Sequence, residues 1–182
     1  MSRIIKKLRT YGLLLKRDRE GLFEGIWDEY AKKLLYFIRK ISGNSSDAED
    51  MLQEVMLKIY ENLDRYSPEY AISTWVYTIA RNHCRDSYRK RGVETVPIAD
   101  EEIFAARGGT PESIAVSGDL NERTEYFISR LPDTDREIAY FRFYEEMPYR
   151  EISDITGTPE GTLKSKVHDI RKKLTDYLEG VK

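Results

Sequence analysis

Cysteine, histidine and long apolar runs are scarce in this chain, and each scarcity excludes a class of protein. The single cysteine, Cys84, excludes a disulfide framework and a cysteine-based zinc site. The two histidines, His83 and His168, lie in no metal-ligand cluster or nucleophile motif. No apolar run reaches the roughly 18 residues that a transmembrane helix needs. The sequence therefore predicts no metal site, no cofactor and no membrane span.

Charge alternates in sign along the chain, although the net charge is only −2. Residues 1–20 and 71–91 carry net charges of +5 and +4, whereas residues 21–70 and 92–121 carry −4 and −5. A protein that merely coats DNA is basic overall. The alternation instead favours one surface for nucleic acid and another for a protein partner.

Hydrophobic periodicity predicts an all-α protein with two small helical domains joined by a flexible linker. Three segments with apolar residues at helical spacing predict an N-terminal helical bundle over residues 22–91. Glycines and prolines interrupt an acidic stretch over residues 92–120, which is the predicted linker. Residues 121–179 are predicted to form a four-helix domain. Residues 1–21 form a basic N-terminal extension without the features of a signal peptide.

Capping residues predict where the helices of the first domain begin. The first helix has its apolar stripe between Phe23 and Ile41, with Trp27 among the inward positions. Ser46 and the acidic residue three positions later form a capping box for the second helix. Ser73 or Thr74 can cap the third helix.

A helix-turn-helix is predicted near the C-terminus. A short helix from Tyr149 to Ile155 is followed by Gly157, which permits the positive φ of a sharp turn. Thr158 is the predicted N-cap of the next helix, and Pro159 takes its first position. That helix has an apolar stripe: Leu163, Val167, Ile170 and Leu174. Its opposite side is polar and basic: Thr162, Lys164, Ser165, Lys166, His168, Arg171 and Lys172.

Such a helix, apolar behind and rich in donors in front, has the properties needed to read a major groove. The alternative is a solvated basic face, because the helix dipole favours cations near any helix C-terminus. The combination of Gly157, Pro159 and the basic side favours the DNA interpretation.

The third helix carries a predicted arginine side, since Arg81, Arg85 and Arg89 recur every four residues. Phosphates would bind there with a strong salt dependence. Aromatic residues on this helix and before it can stack on unpaired bases: Tyr66, Tyr70, Trp75, Tyr77 and Tyr88. Individually, Trp75 and most of the tyrosines are more typical of a packed core.

The second helix has an acidic outer face: Asp50, Gln53, Glu54, Lys58 and Glu61. It is either an ordinary wet surface or a docking surface for a basic partner.

Three sets of residues together resemble the extracytoplasmic-function (ECF) class of bacterial sigma factors. The first is Asp47-Ala48-Glu49-Asp50 with Gln53-Glu54, and the second runs from Ser73 to Asn82 with Asp86. The third comprises Leu131-Pro132, Arg136, Tyr149-Arg150-Glu151-Ile152 and Gly161-Thr162-Leu163-Lys164-Ser165. The resemblance covers about residues 22 to 178 in the order of the family's domains.

The resemblance implies a sigma factor that binds core RNA polymerase, recognises minus-ten and minus-thirty-five promoter elements, and promotes DNA melting. It implies no enzymatic activity and a bacterial cytoplasmic location. Implied contacts on the polymerase are the clamp helices of the largest subunit and the flap. An anti-sigma factor is a further implied partner, so the chain is expected as a free monomer or as a heterodimer with it.

The resemblance also assigns residues to these contacts. The core-polymerase set is Asp50, Gln53 and Glu54. The minus-ten set is Asp64, Arg65, Tyr66, Trp75, Asn82, Arg85 and Arg89. The minus-thirty-five set is Thr162, Lys164, Ser165, Lys166, His168 and Arg171.

This chain departs from the family pattern at three positions. Thr156 and Thr158 stand around the turn where the family usually has large aliphatic residues, and Asp169 stands where it usually has a basic residue. An acidic side chain facing DNA would repel phosphate, so either Asp169 faces neighbouring Arg or Lys residues, or the promoter element of this chain differs.

Two other functions compete with this interpretation. A conventional helix-turn-helix regulator explains the C-terminal domain but gives no role to the arginine-rich third helix or the acidic second helix. An enzyme would need a glycine-rich phosphate loop, a nucleophile motif or a metal-ligand cluster, and the sequence contains none of these.

Overall fold

A computed structural model describes residues 19–42, 47–91 and 120–180, and every regular element among them is a helix. The predicted all-α class is therefore confirmed for these residues. The chain divides into two compact units, residues 1–90 and 91–182. The N-terminal extension up to residue 18 and the linker up to residue 119 lie outside the described residues.

The described residues of the first unit, 19–42 and 47–91, form a bundle of three helices. Helix α1 spans Arg19–Ser42, α2 spans Ala48–Glu61, and α3 spans Ile72–Arg91; a 3₁₀ turn, Leu63–Arg65, follows α2. All three helices contribute to its core: Leu22, Ile26, Leu34, Phe37, Ile38, Met51, Val55, Met56, Ile59, Val76, Tyr77, Ala80 and Cys84. This arrangement leaves the outer sides of α2 and α3 available to solvent.

Two predicted positions in this unit are wrong. Trp27, predicted inside, is 44% exposed and packs on the ring of Phe23 at the surface, with 6.2 Å between ring centroids. Tyr77 is fully buried, which agrees with the core interpretation of most of the tyrosines. Arg81, predicted on an exposed arginine side, is 7% exposed. Arg81 lies one helical turn after Tyr77, so both share the inward side of α3.

The predicted helix starts in the first unit also need correction. The N-cap of α2 is Asp47, which makes no side-chain capping hydrogen bond, and the predicted cap Ser46 lies outside the described residues. Helix α3 begins at Ile72, so Ser73 and Thr74 lie inside its first turn. The first residues of the two helices, Ala48 and Ile72, are both buried.

Residues 120–180 of the second unit form four α-helices, as predicted. Helix α4 spans Leu120–Ser129, α5 spans Asp133–Ala139, α6 spans Tyr149–Thr156, and α7 spans Glu160–Gly180. A π-helical turn, Tyr140–Tyr144, follows α5 and was not predicted. The core draws on every element: Ile128, Leu131, Ile138, Ala139, Tyr140, Phe141, Met147, Ile152, Ile155, Leu163, Val167 and Ile170.

The turn between α6 and α7 has the predicted left-handed glycine. Gly157 has φ 72°, and its N–H donates to the Ser153 carbonyl over 2.8 Å, which ends α6. Pro159 lies one residue before α7 rather than at its first position, because its carbonyl accepts the Leu163 N–H over 3.0 Å. Thr158 is consequently not the N-cap.

Thr156 helps to hold this turn. Its hydroxyl donates to the Ile152 carbonyl over 2.7 Å and accepts the Thr158 N–H over 3.2 Å. A large aliphatic side chain could make neither bond. The departure from the family pattern at Thr156 thus has a structural explanation.

Candidate functional site

The outer side of α3 presents the exposed polar residues of the predicted minus-ten set. Asn82, Arg85 and Arg89 are all exposed on this helix. Arg89 makes an exposed ion pair with Asp86, with Nη2 and Oδ1 3.3 Å apart. Exposed ion pairs of this kind are weak, so Arg89 can exchange Asp86 for a phosphate at little cost.

The 3₁₀ turn before α3 presents two further members of this set, Asp64 and Arg65, both exposed. Arg19 reaches this turn from the start of α1. Its Nη1 lies 3.2 Å from Asp64 Oδ2, and its Nη2 donates to the Tyr60 carbonyl over 2.8 Å. Its guanidinium also lies 4.7 Å from the centroid of the Tyr60 ring. Arg19 therefore positions the turn, a role that no sequence motif indicated.

Tyr66 and Trp75 form an aromatic wall beside the same turn. Their ring centroids are 5.3 Å apart, and Trp75 is half-buried. Tyr66 is only 8% exposed, and its hydroxyl donates to the Tyr70 carbonyl over 3.0 Å. Burial raises the pKa of Tyr66 above its ordinary value, which keeps this hydroxyl a donor. Tyr66 therefore supports Trp75 from within rather than presenting a free face.

The predicted polymerase-binding residues Asp50, Gln53 and Glu54 are all exposed on α2. Leu57, one turn further along, is 57% exposed and adds an apolar contact point to this acidic face. Leu57 was not among the residues predicted for this face. An exposed leucine beside carboxylates combines the apolar and the polar contacts that a protein interface uses.

Glu54 also connects α2 to α3. Its Oε2 lies 2.9 Å from Nε2 of His83, a side chain that is mostly buried. Burial lowers the pKa of His83 below its ordinary value, and the neighbouring Glu54 carboxylate opposes that shift. His83, which was predicted to face inward, thus links α3 to the acidic face of α2.

Helix α7 presents most of the predicted minus-thirty-five set. Thr162, Lys164, Ser165, His168 and Arg171 are exposed, while Leu163, Val167 and Ile170 hold the opposite side in the core. Leu174, predicted to be buried, is half-buried. Asp169 is exposed among these residues.

Lys166 differs from the rest of the set. It forms a part-buried ion pair with Asp135 of α5, and the two side chains are 35% and 17% exposed. Sequence spacing placed Lys166 on the DNA side, but the contact turns its ammonium towards the body of the second unit. Asp135 was not a predicted functional residue.

The ring of Tyr149, at the start of α6, lies close to two cationic side chains. The Arg142 guanidinium and the Lys164 ammonium lie 5.3 and 5.9 Å from its ring centroid. Arg142 also donates to the Met147 carbonyl over 3.2 Å. Arg142 and Lys164 thus share one aromatic ring, which spacing along the sequence could not reveal.

Residues 19–42, 47–91 and 120–180 contain no group of three or more side chains that could hold a metal ion. Over the same ranges, no helix is long and apolar enough to cross a membrane.

Comparison with known proteins gives the family. A family model described as Sigma-70 region 2 matches residues 26–93, and one described as Sigma-70, region 4 matches residues 121–174. The ECF RNA polymerase sigma factor SigW of Bacillus subtilis is 30% identical over 175 residues, covering 90% of this chain and 92% of SigW. The ECF RNA polymerase sigma factor RpoE of Cereibacter sphaeroides is 29% identical, with 87% of each chain covered.

A solved structure agrees with these relatives. The sigma factor RpoE of Bartonella quintana, in complex with the anti-sigma factor NepR, has a TM-score of 0.66 and 25% identity. The comparison covers 86% of this chain and 96% of that one. The chain therefore belongs to the ECF class of the sigma-70 family and is a non-enzymatic RNA polymerase sigma factor that acts in transcription initiation.

Proposed function

We propose that this chain directs promoter-specific initiation through three separate surfaces. The observation that carries the proposal is the placement of opposite charge on neighbouring helices of the first unit. Asp50 and Glu54 give α2 an acidic exposed side, whereas Arg85 and Arg89 give α3 a basic one. One side suits a basic protein partner and the other suits phosphates.

The acidic face of α2 is the proposed contact with core RNA polymerase, at the clamp helices of its largest subunit. Asp50, Gln53 and Glu54 supply the polar contacts, and the exposed Leu57 supplies an apolar one. Nε2 of His83 lies 2.9 Å from Oε2 of Glu54, so α3 contacts this carboxylate from behind.

The surface around α3 is the proposed minus-ten site. Asn82, Arg85 and Arg89 contact the strand, while Trp75, braced by Tyr66, offers a ring to an unstacked base. Asp64 and Arg65 line the adjoining turn, which Arg19 holds in place. Extruding a base costs a few kcal/mol, and a rigid aromatic wall helps to offset that cost.

Helix α7 is the proposed minus-thirty-five reader. Thr162, Lys164, Ser165, His168 and Arg171 are the exposed residues proposed to face the major groove and its phosphates. Lys166 is proposed to stay with Asp135 instead of contacting DNA. The flap of the polymerase is the proposed docking site for the second unit.

An anti-sigma factor is the proposed regulatory partner, and the cytoplasm is the proposed location. Support for such a partner comes from RpoE of Bartonella quintana, whose structure was solved with the anti-sigma factor NepR. The free chain is proposed to be a monomer that forms a heterodimer with that regulator.

Run-off transcription with core RNA polymerase and a randomised promoter library tests the proposal. Transcripts are sequenced with the chain, without it, and with Arg85 and Arg89 both changed to Ala. We expect the chain to enrich promoters with two short elements, and the double variant to lose opening while still binding core polymerase. Absence of enrichment with a chain that binds core polymerase would overturn the proposal.

A conventional regulator is the rival that this experiment separates. Such a protein binds a duplex operator as a symmetric dimer, with an affinity that added core polymerase leaves unchanged. Enrichment that requires core polymerase excludes it.

A further inference from the structure

The second half of α1 carries four cations and no acidic side chain between residues 32 and 40: Lys32, Lys33, Arg39 and Lys40. The helix dipole favours cations near a C-terminus, but it has no preference for one side of the helix. They form two pairs, Lys32 with Arg39 and Lys33 with Lys40, and the two members of each pair are seven residues apart. The two pairs face different directions.

Lys32 and Arg39 belong to the pair that lies away from α3. Each follows by two residues a ring of α1 that faces the core, Tyr30 or Phe37, and is therefore about 200° further around the helix. Arg39 is engaged with Glu49 of α2, with 3.2 Å between Nη2 and Oε1. Lys32 is exposed.

Lys33 and Lys40 flank the contact with α3. The rings of Tyr30 and Phe37 both pack edge-on against Tyr77, with centroid distances of 6.4 and 5.5 Å. Each lysine lies three residues after one of these rings, and residues three apart share a side of a helix. The Lys33 ammonium lies 5.4 Å from the Tyr30 ring centroid, which keeps it next to this contact.

Tyr36 lies beside the same pair of lysines. Its ring is exposed, and the Lys40 ammonium lies 5.2 Å from its centroid. An exposed aromatic ring next to cations is a common element of surfaces that bind nucleic acid.

Helix α3 carries cations along its own side of the contact. Arg81 follows Tyr77 by one turn and is buried, and Arg85 follows by a second turn and is exposed. Cations therefore occur on both helices next to the α1–α3 contact; Lys33 and Arg85 are exposed, and Lys40 is half-buried.

We propose that Lys33 and Lys40 extend the DNA-binding surface of α3 onto α1 and bind phosphates of the promoter DNA that lies there. The proposal rests on the proposed minus-ten role of α3. The two lysines are about 10 Å apart along the helix axis, so they can meet different phosphates. Continuity with Arg85 favours DNA over an acidic protein as the occupant.

The test uses the complete chain with core polymerase and a promoter selected from the library by the wild-type chain. Lys33→Gln is compared with Lys32→Gln, since the two residues are adjacent, exposed and equally charged but lie on different sides of α1. The double variant Lys33→Gln with Lys40→Gln measures the full effect. Open-complex formation is followed by permanganate reactivity of unpaired thymines at 50 and 200 mM salt, about a fourfold range.

We expect each lysine on the α3 side to contribute about 0.7 to the salt slope on a single strand. Between the two salt concentrations, the affinity of the double variant should fall about sevenfold less than that of the wild type. Lys32→Gln should behave as the wild type. Equal slopes for Lys33→Gln and Lys32→Gln, or a loss of polymerase binding in the double variant, would overturn the proposal.

Acetylation of surface lysines by sulfo-N-hydroxysuccinimide acetate provides a readout on the unaltered chain. In the open complex, Lys33 and Lys40 should be protected while Lys32 stays reactive; equal reactivity of Lys32 and Lys33 contradicts the proposal. Failure of the sigma-factor role would abolish promoter enrichment altogether. Failure of this inference alone would leave enrichment and the Arg85 effect intact.

Discussion

The proposed DNA surfaces of the two units are built in different ways. In the second unit, the proposed DNA surface follows one helix, α7, whose orientation is fixed locally by Gly157 and the short helix before it. In the first unit, the proposed surfaces come from the packing of three helices, so burial decides which cations remain outside. The first kind of surface can be predicted from spacing, whereas the second requires knowledge of each helix's orientation.

The largest expected effect is a loss of stability that is confined to the second unit when Arg136 is replaced. This side chain is 6% exposed, and its Nη2 donates to the Leu131 carbonyl over 2.9 Å and lies 3.6 Å from Asp133. Arg136→Met should destabilise the second unit by about 3 kcal/mol, because the carbonyl and carboxylate lose their partner. Hydrogen exchange of α4–α7 amides measures this loss.

The exposed Arg150 provides the matched control, since Arg150→Met should change stability by less than about 0.5 kcal/mol. If Arg136→Met accelerates exchange in α1–α3 as strongly as in α4–α7, the division into separately stabilised units is wrong.

The next effect tests whether local backbone geometry fixes the orientation of α7. Gly157→Val should cost the second unit about 2 kcal/mol, because a β-branched residue at φ 72° is strained. A Cβ at Gly157 meets nothing within 4 Å, so the cost is one of backbone conformation. Affinity for an upstream duplex should fall with the stability of α6 and α7, as measured by hydrogen exchange and fluorescence anisotropy.

Gly161→Ala serves as the control of opposite sign. A Cβ there also meets nothing within 4 Å, but Gly161 lies inside α7, where alanine stabilises by about 1 kcal/mol. Destabilisation by both substitutions would show that added volume, not φ, is the cause.

Much of the second unit was predictable because its signals are short-range. Gly157, the apolar stripe of α7 and the four-helix organisation all follow from spacing along the chain. The ion pair of Lys166 could not be predicted because its partner, Asp135, lies 31 residues earlier, beyond the reach of any helical pattern. The π-helical turn and the buried Arg136 likewise depend on tertiary packing.

In the first unit, periodicity located all three helices but did not fix their orientation. Arg81 recurs with Arg85 and Arg89 in the sequence, yet its turn of α3 lies against the core. Tyr66 was expected at a DNA surface because aromatic rings suit both bases and cores, and the structure buries it. The link between His83 and Glu54 joins different helices, so no local pattern could indicate it.

A smaller effect distinguishes two lysines of α7, Lys164 and Lys166. Lys164→Met should lower the salt slope of duplex binding by about 0.9, which is roughly a 3.5-fold smaller fall in affinity between 50 and 200 mM salt. Lys166→Met should leave the slope unchanged, because Asp135 already neutralises this lysine. In an Asp135→Asn background, Lys166→Met should lower the slope as Lys164→Met does. A drop with Lys166→Met in the wild-type background would return Lys166 to the DNA-reading set.

The smallest effect belongs to the first unit and depends on pH. Burial lowers the pKa of His83, so the unfolded chain binds this proton more readily than the folded unit does. The contribution of neutral His83 is complete above about pH 6.5 and is lost as the pH falls through the lowered pKa. Urea unfolding of the first unit, followed by tryptophan fluorescence, should show this decline in the wild type. An undiminished decline in His83→Gln would assign it to other groups.

Hydrogen exchange of the whole chain in three states tests the assignment of surfaces most directly: free, with core polymerase, and with core polymerase and promoter. We predict that core polymerase alone protects α2, and that added promoter extends protection to α3 and to the front of α7. Protection of α3 and α7 by promoter without core polymerase, with α2 unchanged throughout, would contradict the account.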